Sequence, residues 1–330
     1  MILSRAPTRI SLGGGATDLE SYYSKYGGFL IAGAINKYCT ILANKKFDEE
    51  IRLSYSKLEF KNSVSEIEHH IFKAALEFTG IRSGIELHST SSVPASCGLG
   101  TSSTFTVALL NALHGFKRDY VSQRQLAEEA CHIEINVLGE PIGKQDQYIA
   151  AFGGLTCFTF EKNGDVIVEP LRIPRGTLNR LENNLVLFYT GKQRSASEIL
   201  VEQDIRSKQD DAEMLENLHQ IKEIGLETRK SLETNNLDML GELFHFHWEK
   251  KKKRSEKMSD PFIDECYEVA RSKGAIGGKL IGAGGGGFLM FYCANYNHDK
   301  PRLIGAMERL GLKWEEYRFD FSGAKILINT

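Results

Sequence analysis

The sequence predicts a two-domain α+β fold, on three observations. The chain has 330 residues, more than one hydrophobic core usually takes, so two cores are expected. Strand-like and helix-like stretches mix without the regular alternation that a doubly wound sheet or a β/α barrel requires. A turn-rich junction at Ile173-Pro174-Arg175-Gly176 divides the chain into residues 1–176 and 177–330.

Residues 1–12 read as a strand with Pro7 near its start. They lead into Gly13-Gly14-Gly15-Ala16-Thr17-Asp18, where glycines let the backbone approach another group closely. Apolar runs at 28–35 and 38–42 read as two further strands, and the alternation at 51–55 as a half-buried one. A helix over 65–79 ends at Gly80, and a strand at 85–88 delivers the chain into a second glycine loop. Helices follow over 102–113 and, with acidic early turns, over 122–138. The polar stretch 139–147 precedes a short helical piece closed by Gly153-Gly154, and strands at 155–160 and 166–171 finish the first domain. In the second domain 185–189 is a buried strand, and 195–253 is mostly helical with a break near Thr234-Asn235-Asn236. Another helix spans 261–272 behind a proline at its first position. Two apolar strand-like runs flank the glycines at 282–287, and a helix at 300–310 and strands at 315–321 and 324–328 close the chain. There is no internal repeat and no low-complexity tract.

Composition narrows the function classes. Hydrophobic residues at 42% and charged ones at 25% are those of an ordinary globular protein. With 41 basic against 43 acidic residues the chain has no global field to gather nucleic acid or an anionic membrane, so neither is expected as a partner. The six cysteines lie apart with no C-x-x-C pair, which argues against a zinc site or a disulfide framework. The N-terminus lacks a basic start followed by a long apolar core, and no apolar run reaches the roughly 18 residues of a membrane span. A cytoplasmic location is expected. The sequence carries no signal for oligomeric state.

The chemistry centres on Val93-Pro94-Ala95-Ser96-Cys97-Gly98-Leu99-Gly100-Thr101-Ser102-Ser103, followed directly by an apolar helical run. Two glycines permit a tight turn, and the hydroxyl residues stand where a helix begins. Unpaired amides and the positive end of the helix dipole therefore face one spot, a site suited to phosphate. The hydroxyls can cap the helix or hold a magnesium ion that bridges phosphate oxygens. No Lys precedes them, so this is not a Walker A loop. Gly282-x-Gly284-x-x-Gly287 matches a dinucleotide fingerprint, but an apolar strand follows it where that motif needs a helix. These glycines are expected to pack closely against the nucleotide loop.

Three motifs in order along nearly the whole chain resemble those of the GHMP kinases: residues 5–13 with Arg9, residues 94–103, and residues 279–288. The family's G-L-G-S-S-A reads here as Gly98-Leu99-Gly100-Thr101-Ser102-Ser103, so the resemblance implies that loop 94–103 binds ATP and that Ser102 binds Mg2+. It implies a second magnesium ligand on the helix before the Pro141 turn, at Glu134; taken alone, that residue reads as a solvated helix glutamate. It implies a catalytic Asp146, beside which galactokinases place an arginine, here Arg9. The active site of this architecture lies between the two domains. Galactokinases have Gly-Glu-His-Thr-Asp where this chain has Gly15-Ala16-Thr17-Asp18, which keeps Thr17 and Asp18 for a sugar and makes galactose doubtful. The Gly-Gly-Gly-Ala-Thr-Asp-Leu form is similar to that of bacterial D-glycero-D-manno-heptose 7-phosphate kinases and related fucokinase domains.

The expectation is an ATP- and Mg2+-dependent sugar 1-kinase acting on D-glycero-D-manno-heptose 7-phosphate to give the 1,7-bisphosphate for nucleotide-activated heptose. The alternatives are a fucokinase- or galactokinase-like 1-kinase and a non-catalytic sensor; retention of Ser102, Glu134 and Asp146 together disfavours the sensor. A sugar phosphate needs cations at its far end, and Lys192 and Arg194, ahead of a helix start at Ser195, are the candidates. Gly285 and Gly286 are expected near the substrate. The run Lys250-Lys251-Lys252-Lys253-Arg254 reads as a solvated helix face, and His245-x-His247 as structural.

Overall fold

The computed structural model describes residues 1–193 and 197–330. It opens with β1 (Ile2–Gly13), α1 (Glu20–Tyr26), β2 (Gly28–Lys45), β3 (Ile51–Ser54) and β4 (Leu58–Lys61), then α2 (His70–Thr79), β5 (Ile85–Ser91) and α3 (Thr101–Lys117). The chain continues through α4 (Gln123–Cys131), a π-helical turn at His132–Val137, α5 (Gln145–Phe152), β6 (Leu155–Phe160) and β7 (Val166–Pro170). Next come α6 (Arg175–Asn184), β8 (Leu185–Tyr189), α7 (Ser197–Lys208), α8 (Ala212–Glu233) and α9 (Leu237–Lys252). It ends with α10 (Pro261–Ser272), β9 (Ala275–Leu280), β10 (Phe288–Cys293), α11 (Asp299–Arg309), β11 (Lys313–Glu315) and β12 (Lys325–Asn329).

An eight-stranded sheet runs β12-β1-β2-β5-β3-β4, with β6 on the other half of β2 and β7 beyond it; a four-stranded sheet runs β11-β8-β10-β9. The two strands expected at 28–35 and 38–42 are one. β2 passes through the exposed Asn36, and the β1–β2 register shifts at Pro7/Thr8, where proline offers no N–H to the ladder. The helix expected over 65–79 starts later, at His70, after a short 3-10 turn. α3 runs past the expected end to Lys117, and Gly115 within it is where Ile2 and Ile326 press against the helix: a Cβ there would stand 2.7 Å from Ile326. Its end comes at Arg118, which takes the left-handed conformation.

The chain does not divide cleanly at residue 176. β12 crosses back to pair with β1, Ile2 lying opposite Asn329, and Phe319 bridges to Ile35 of β2. The strand expected at 315–321 is accordingly short, ending at Glu315, because the following residues leave the second sheet for the first. β1 and β2 serve two cores. Ala6, Leu30, Ile41 and Ala43 pack with α2, α3 and α5, whereas Ile10, Leu12, Phe29 and Ile31 pack with residues of β8, α9 and β10. All six cysteines are buried free thiols. Among the described residues no helix is long and apolar enough to cross a membrane.

Candidate active site

A cavity of about 490 Å3 opens where the two sheets meet, a size suited to a small polar ligand. Its walls come from β1 and the loop between it and α1, the loop before α3, the π-helical turn and the start of α5 on one side. From the other come α7, the end of α9 and the loop after β9. The loop turns through Ser96, Gly98 and Gly100, all at positive φ. Gly100 stands at the N-cap of α3 with no side chain to close the helix, so its first-turn amides are left for a ligand. Behind the loop lie the later glycines. A Cβ on Gly282 would stand 2.6 Å from Gly98 Cα, and one on Gly98 would stand 2.6 Å from the Ile281 carbonyl, so neither position admits a side chain.

Three carboxylates converge on this side. Glu134 sits in the π-helical turn, where the expected continuous helix 122–138 widens, a distortion common at functional sites. Its Oε1 accepts from Ser102 Oγ at 2.9 Å and its Oε2 from Gln147 Nε2 at 2.7 Å. Burial pushes its carboxyl up to about 7, against hydrogen bonds from Ser103, Gln147 and Ser102. It is thus not the solvated helix residue that its surroundings in the sequence suggest. Asp146, in the first turn of α5, is held bidentately by Arg9, Nε to Oδ1 at 2.7 Å and Nη2 to Oδ2 at 2.8 Å, while Arg9 Nη1 donates to the Gly98 carbonyl. Asp18 is sealed from water and accepts from the Gln145 and Ala16 amides at 3.1 and 3.2 Å. Burial, with the Asp146 carboxylate nearby, pushes it up to about 6.

Part of the cavity wall is cationic. Lys251, Arg254, Lys279 and His247 are all buried and all line it. Lys251 Nζ donates to the Leu280 carbonyl at 2.8 Å, and also to that of Gly282; Lys279 Nζ donates to the Leu12 carbonyl at 2.9 Å and lies 3.1 Å from His247 Nδ1. Arg254 Nε donates to Asn217 Oδ1 at 3.0 Å, and its Nη2 has no partner among the described residues. Burial and mutual repulsion hold Lys251 and Lys279 well below the usual ammonium range, and burial brings Arg254 down to about 10. The solvated-face reading of 250–254 is therefore corrected for Lys251 and Arg254. The signal lay in the spacing: Leu237, Leu240, Phe244, His247, Trp248 and Lys251 share the buried stripe of α9. His247 joins the cavity rather than a purely structural pair, whereas His245 bonds Tyr267.

Family models for the GHMP kinases N terminal domain and the GHMP kinases C terminal match residues 62–154 and 228–310. The chain is 32% identical, over 98% of both lengths, to a D-glycero-alpha-D-manno-heptose 7-phosphate kinase of Campylobacter jejuni. It is a GHMP kinase. It is also 25% identical to a galactokinase of Pyrococcus furiosus, over 92% of this chain and 91% of that one. A crystal structure of a D-glycero-D-manno-heptose 1-phosphate kinase from Bacteroides thetaiotaomicron superposes with a TM-score of 0.82 at 26% identity, covering 99% of each chain. This GHMP kinase is a phosphotransferase acting on sugar hydroxyls.

Ser96, Gly98, Gly100, Thr101, Ser102 and Ser103 line the cavity, and Cys97 and Leu99 turn into the apolar core behind it. Pro94 and Ala95 are outside the lining. The Thr17 hydroxyl is spent on the backbone, donating to the Gly14 and Phe29 carbonyls at 2.8 and 2.9 Å; it holds the loop that presents Asp18. Lys192 is paired with Asp260 and stands over the Phe262 ring, outside the lining. Gly285 and Gly286 pack on the far side of their loop, the first donating to the Met258 carbonyl and the second against Lys192. Arg194 lies outside the described residues. Sequence reasoning missed Ser11, Gln145 and Gln203, which line the cavity and each have a buried side-chain oxygen with no partner among the described residues. Ser11 lies inside the first motif and Gln145 beside Asp146, but nothing in the sequence sets either apart, and Gln203 lies in no motif.

Proposed function

We propose that this kinase transfers the γ-phosphoryl group of ATP to the anomeric hydroxyl of D-glycero-D-manno-heptose 7-phosphate, giving the 1,7-bisphosphate used to make nucleotide-activated heptose. The observation that carries the reading is the Arg9–Asp146 pair standing in one cavity with the Ser102–Glu134 pair and the open amides of α3. The name of the Campylobacter jejuni relative supports the choice of sugar. The first-turn amides of α3 bind the triphosphate. Ser102 Oγ and a Glu134 oxygen fit a hard cation that takes its remaining ligands from phosphate and water, and among the described residues no cluster of three or more His, Cys, Asp or Glu competes for one. When bound there, Mg2+ neutralises charge on the transferring group.

Arg9 fixes both oxygens of Asp146, and each keeps a second lone pair. One of them accepts the proton of the sugar hydroxyl as its oxygen attacks phosphorus and the bond to ADP breaks. Asp18, Ser11, Gln145 and Gln203 accept from the other hydroxyls. A panel of free sugars and sugar phosphates tests the assignment by ATP turnover. The heptose 7-phosphate is expected to give the highest kcat/KM, and Asp146→Asn to lower kcat by about 10²–10⁴-fold with ATP binding retained. Preference for fucose or galactose would move the reading to a kinase of free sugars, and ATP turnover indifferent to every sugar would favour a sensor.

A further inference from the structure

We infer that Arg254, Lys251, Lys279 and His247 form the pocket that receives the terminal phosphate of the sugar, an inference that rests on the phosphorylated substrate proposed above. Three basic side chains and an imidazole are withdrawn from water in the cavity wall, and none of them has an ion pair among the described residues. Buried charge without a counter-charge is strongly unfavourable, so such a cluster persists where an anionic ligand completes it. Arg254 lines the cavity, and its Nη2 is buried with no partner among the described residues. Its Nε is already anchored to Asn217, which fixes the plane of the guanidinium and leaves the other edge for phosphate oxygens.

The partners of the lysines leave capacity in the same direction. Lys251 spends two of its three donors on the Leu280 and Gly282 carbonyls, and Lys279 spends one on Leu12 and one toward His247 Nδ1, so each keeps a donor. Burial and the surrounding cations hold His247 neutral, and with Nδ1 turned to the Lys279 ammonium its proton belongs on Nε2, a further donor. The nucleotide has its own provision in the α3 amides and the Ser102–Glu134 pair, all from residues before 140. The four basic groups all come from α9, the turn after it and β9. An acceptor hydroxyl at Asp146 therefore leaves the rest of the sugar to extend toward them, past Gln203 of α7, which also lines the cavity. Lys192, the sequence candidate for this role, is neutralised by Asp260.

Arg254→Met and Lys251→Met test the pocket in the full-length enzyme. Steady-state kinetics with D-glycero-D-manno-heptose 7-phosphate and with the unphosphorylated heptose give the preference for the phosphate; KM for ATP is read in parallel. Each variant is expected to cut that preference by about tenfold or more, since each removes a charge-assisted hydrogen bond, while KM for ATP holds. Arg254→Lys is expected to restore part of the preference, which a merely structural role would not predict. Should Arg254→Met fail to melt cooperatively, Lys251→Met carries the same measurement. Wild-type preference in both Met variants would overturn the pocket and leave the phosphorylated substrate standing. A raised KM for ATP with the preference intact would assign the cations to the nucleotide and also overturn it. No preference in the wild-type enzyme would remove the phosphorylated substrate itself.

Discussion

A carboxyl shut away from water resists ionisation, and Asp18 shows the cost in this kinase. Its folded value is about 6 against an ordinary 3.8. Between those two values the native state holds more protons than the unfolded chain, so stability falls as pH rises through that window and the loss is complete above it. One unit is worth about 1.4 kcal/mol, so Asp18 costs the substrate-free protein about 3 kcal/mol at neutral pH. Asp18→Asn does not titrate and is expected to flatten the fall in unfolding free energy between about pH 4 and pH 6. Urea unfolding at several pH values measures this, and a variant with the wild-type slope would show that Asp18 is not the group responsible. At this scale the sequence was informative where a motif names a residue: Arg9, Asp18, Ser102, Glu134 and Asp146 all line one cavity. It was uninformative for Thr17, whose hydroxyl faces the backbone, for Ser11, which the first motif does not set apart from its neighbours, and for Gln203, which belongs to no motif.

Elements were legible where periodicity is local. α10 and the strands at 155–160 and 185–189 lie where the apolar patterns put them: α10 buries one stripe, and the two strands are short apolar runs buried on both faces. The pattern misled in α9, where four lysines in a row look solvated although Lys251 falls on the stripe set by Phe244 and His247. It also missed the π-helical widening at His132–Val137, which adds no residue type of its own. The glycine loop after β9 was read correctly as a packing device, and that reading can be tested. Gly282 has φ +77°, and its Cβ would stand 2.6 Å from both Cα and the carbonyl oxygen of Gly98. Gly282→Ala is expected to lose about 1–2 kcal/mol to the left-handed backbone and about 1–3 kcal/mol more to the displaced loop. Because the Gly98 carbonyl takes a donor from Arg9, kcat should fall with it. A variant with unchanged Tm and kcat would show that the two loops yield to each other freely.

The molecule as a whole is less divisible than its sequence suggests. The junction near residue 176 separates most of one sheet from the other, and local signals there are those of a domain boundary. What no local signal reports is that β1 and β2 are long enough to serve both cores, or that the chain returns to pair β12 with β1. Ile10, Leu12, Phe29, Ile31, Leu155 and Cys157, all before the junction, are covered by a core that includes Leu187, Leu240, Phe244, Phe288 and Met290. Cutting the chain at 176 would expose that apolar surface, at about 25 cal/mol for each Å2 uncovered, and would leave β1 as an open edge. Residues 1–176 alone are therefore expected to aggregate or to lack a cooperative melt, and the whole kinase to unfold in one calorimetric transition. The same continuity bears on the site, because β1 carries Arg9 between the two cores and so ties the carboxylate wall to the cationic one. A soluble, cooperatively melting 1–176 fragment would mean that the second half is a separable cap, and the two walls of the cavity would then be free to move apart during turnover.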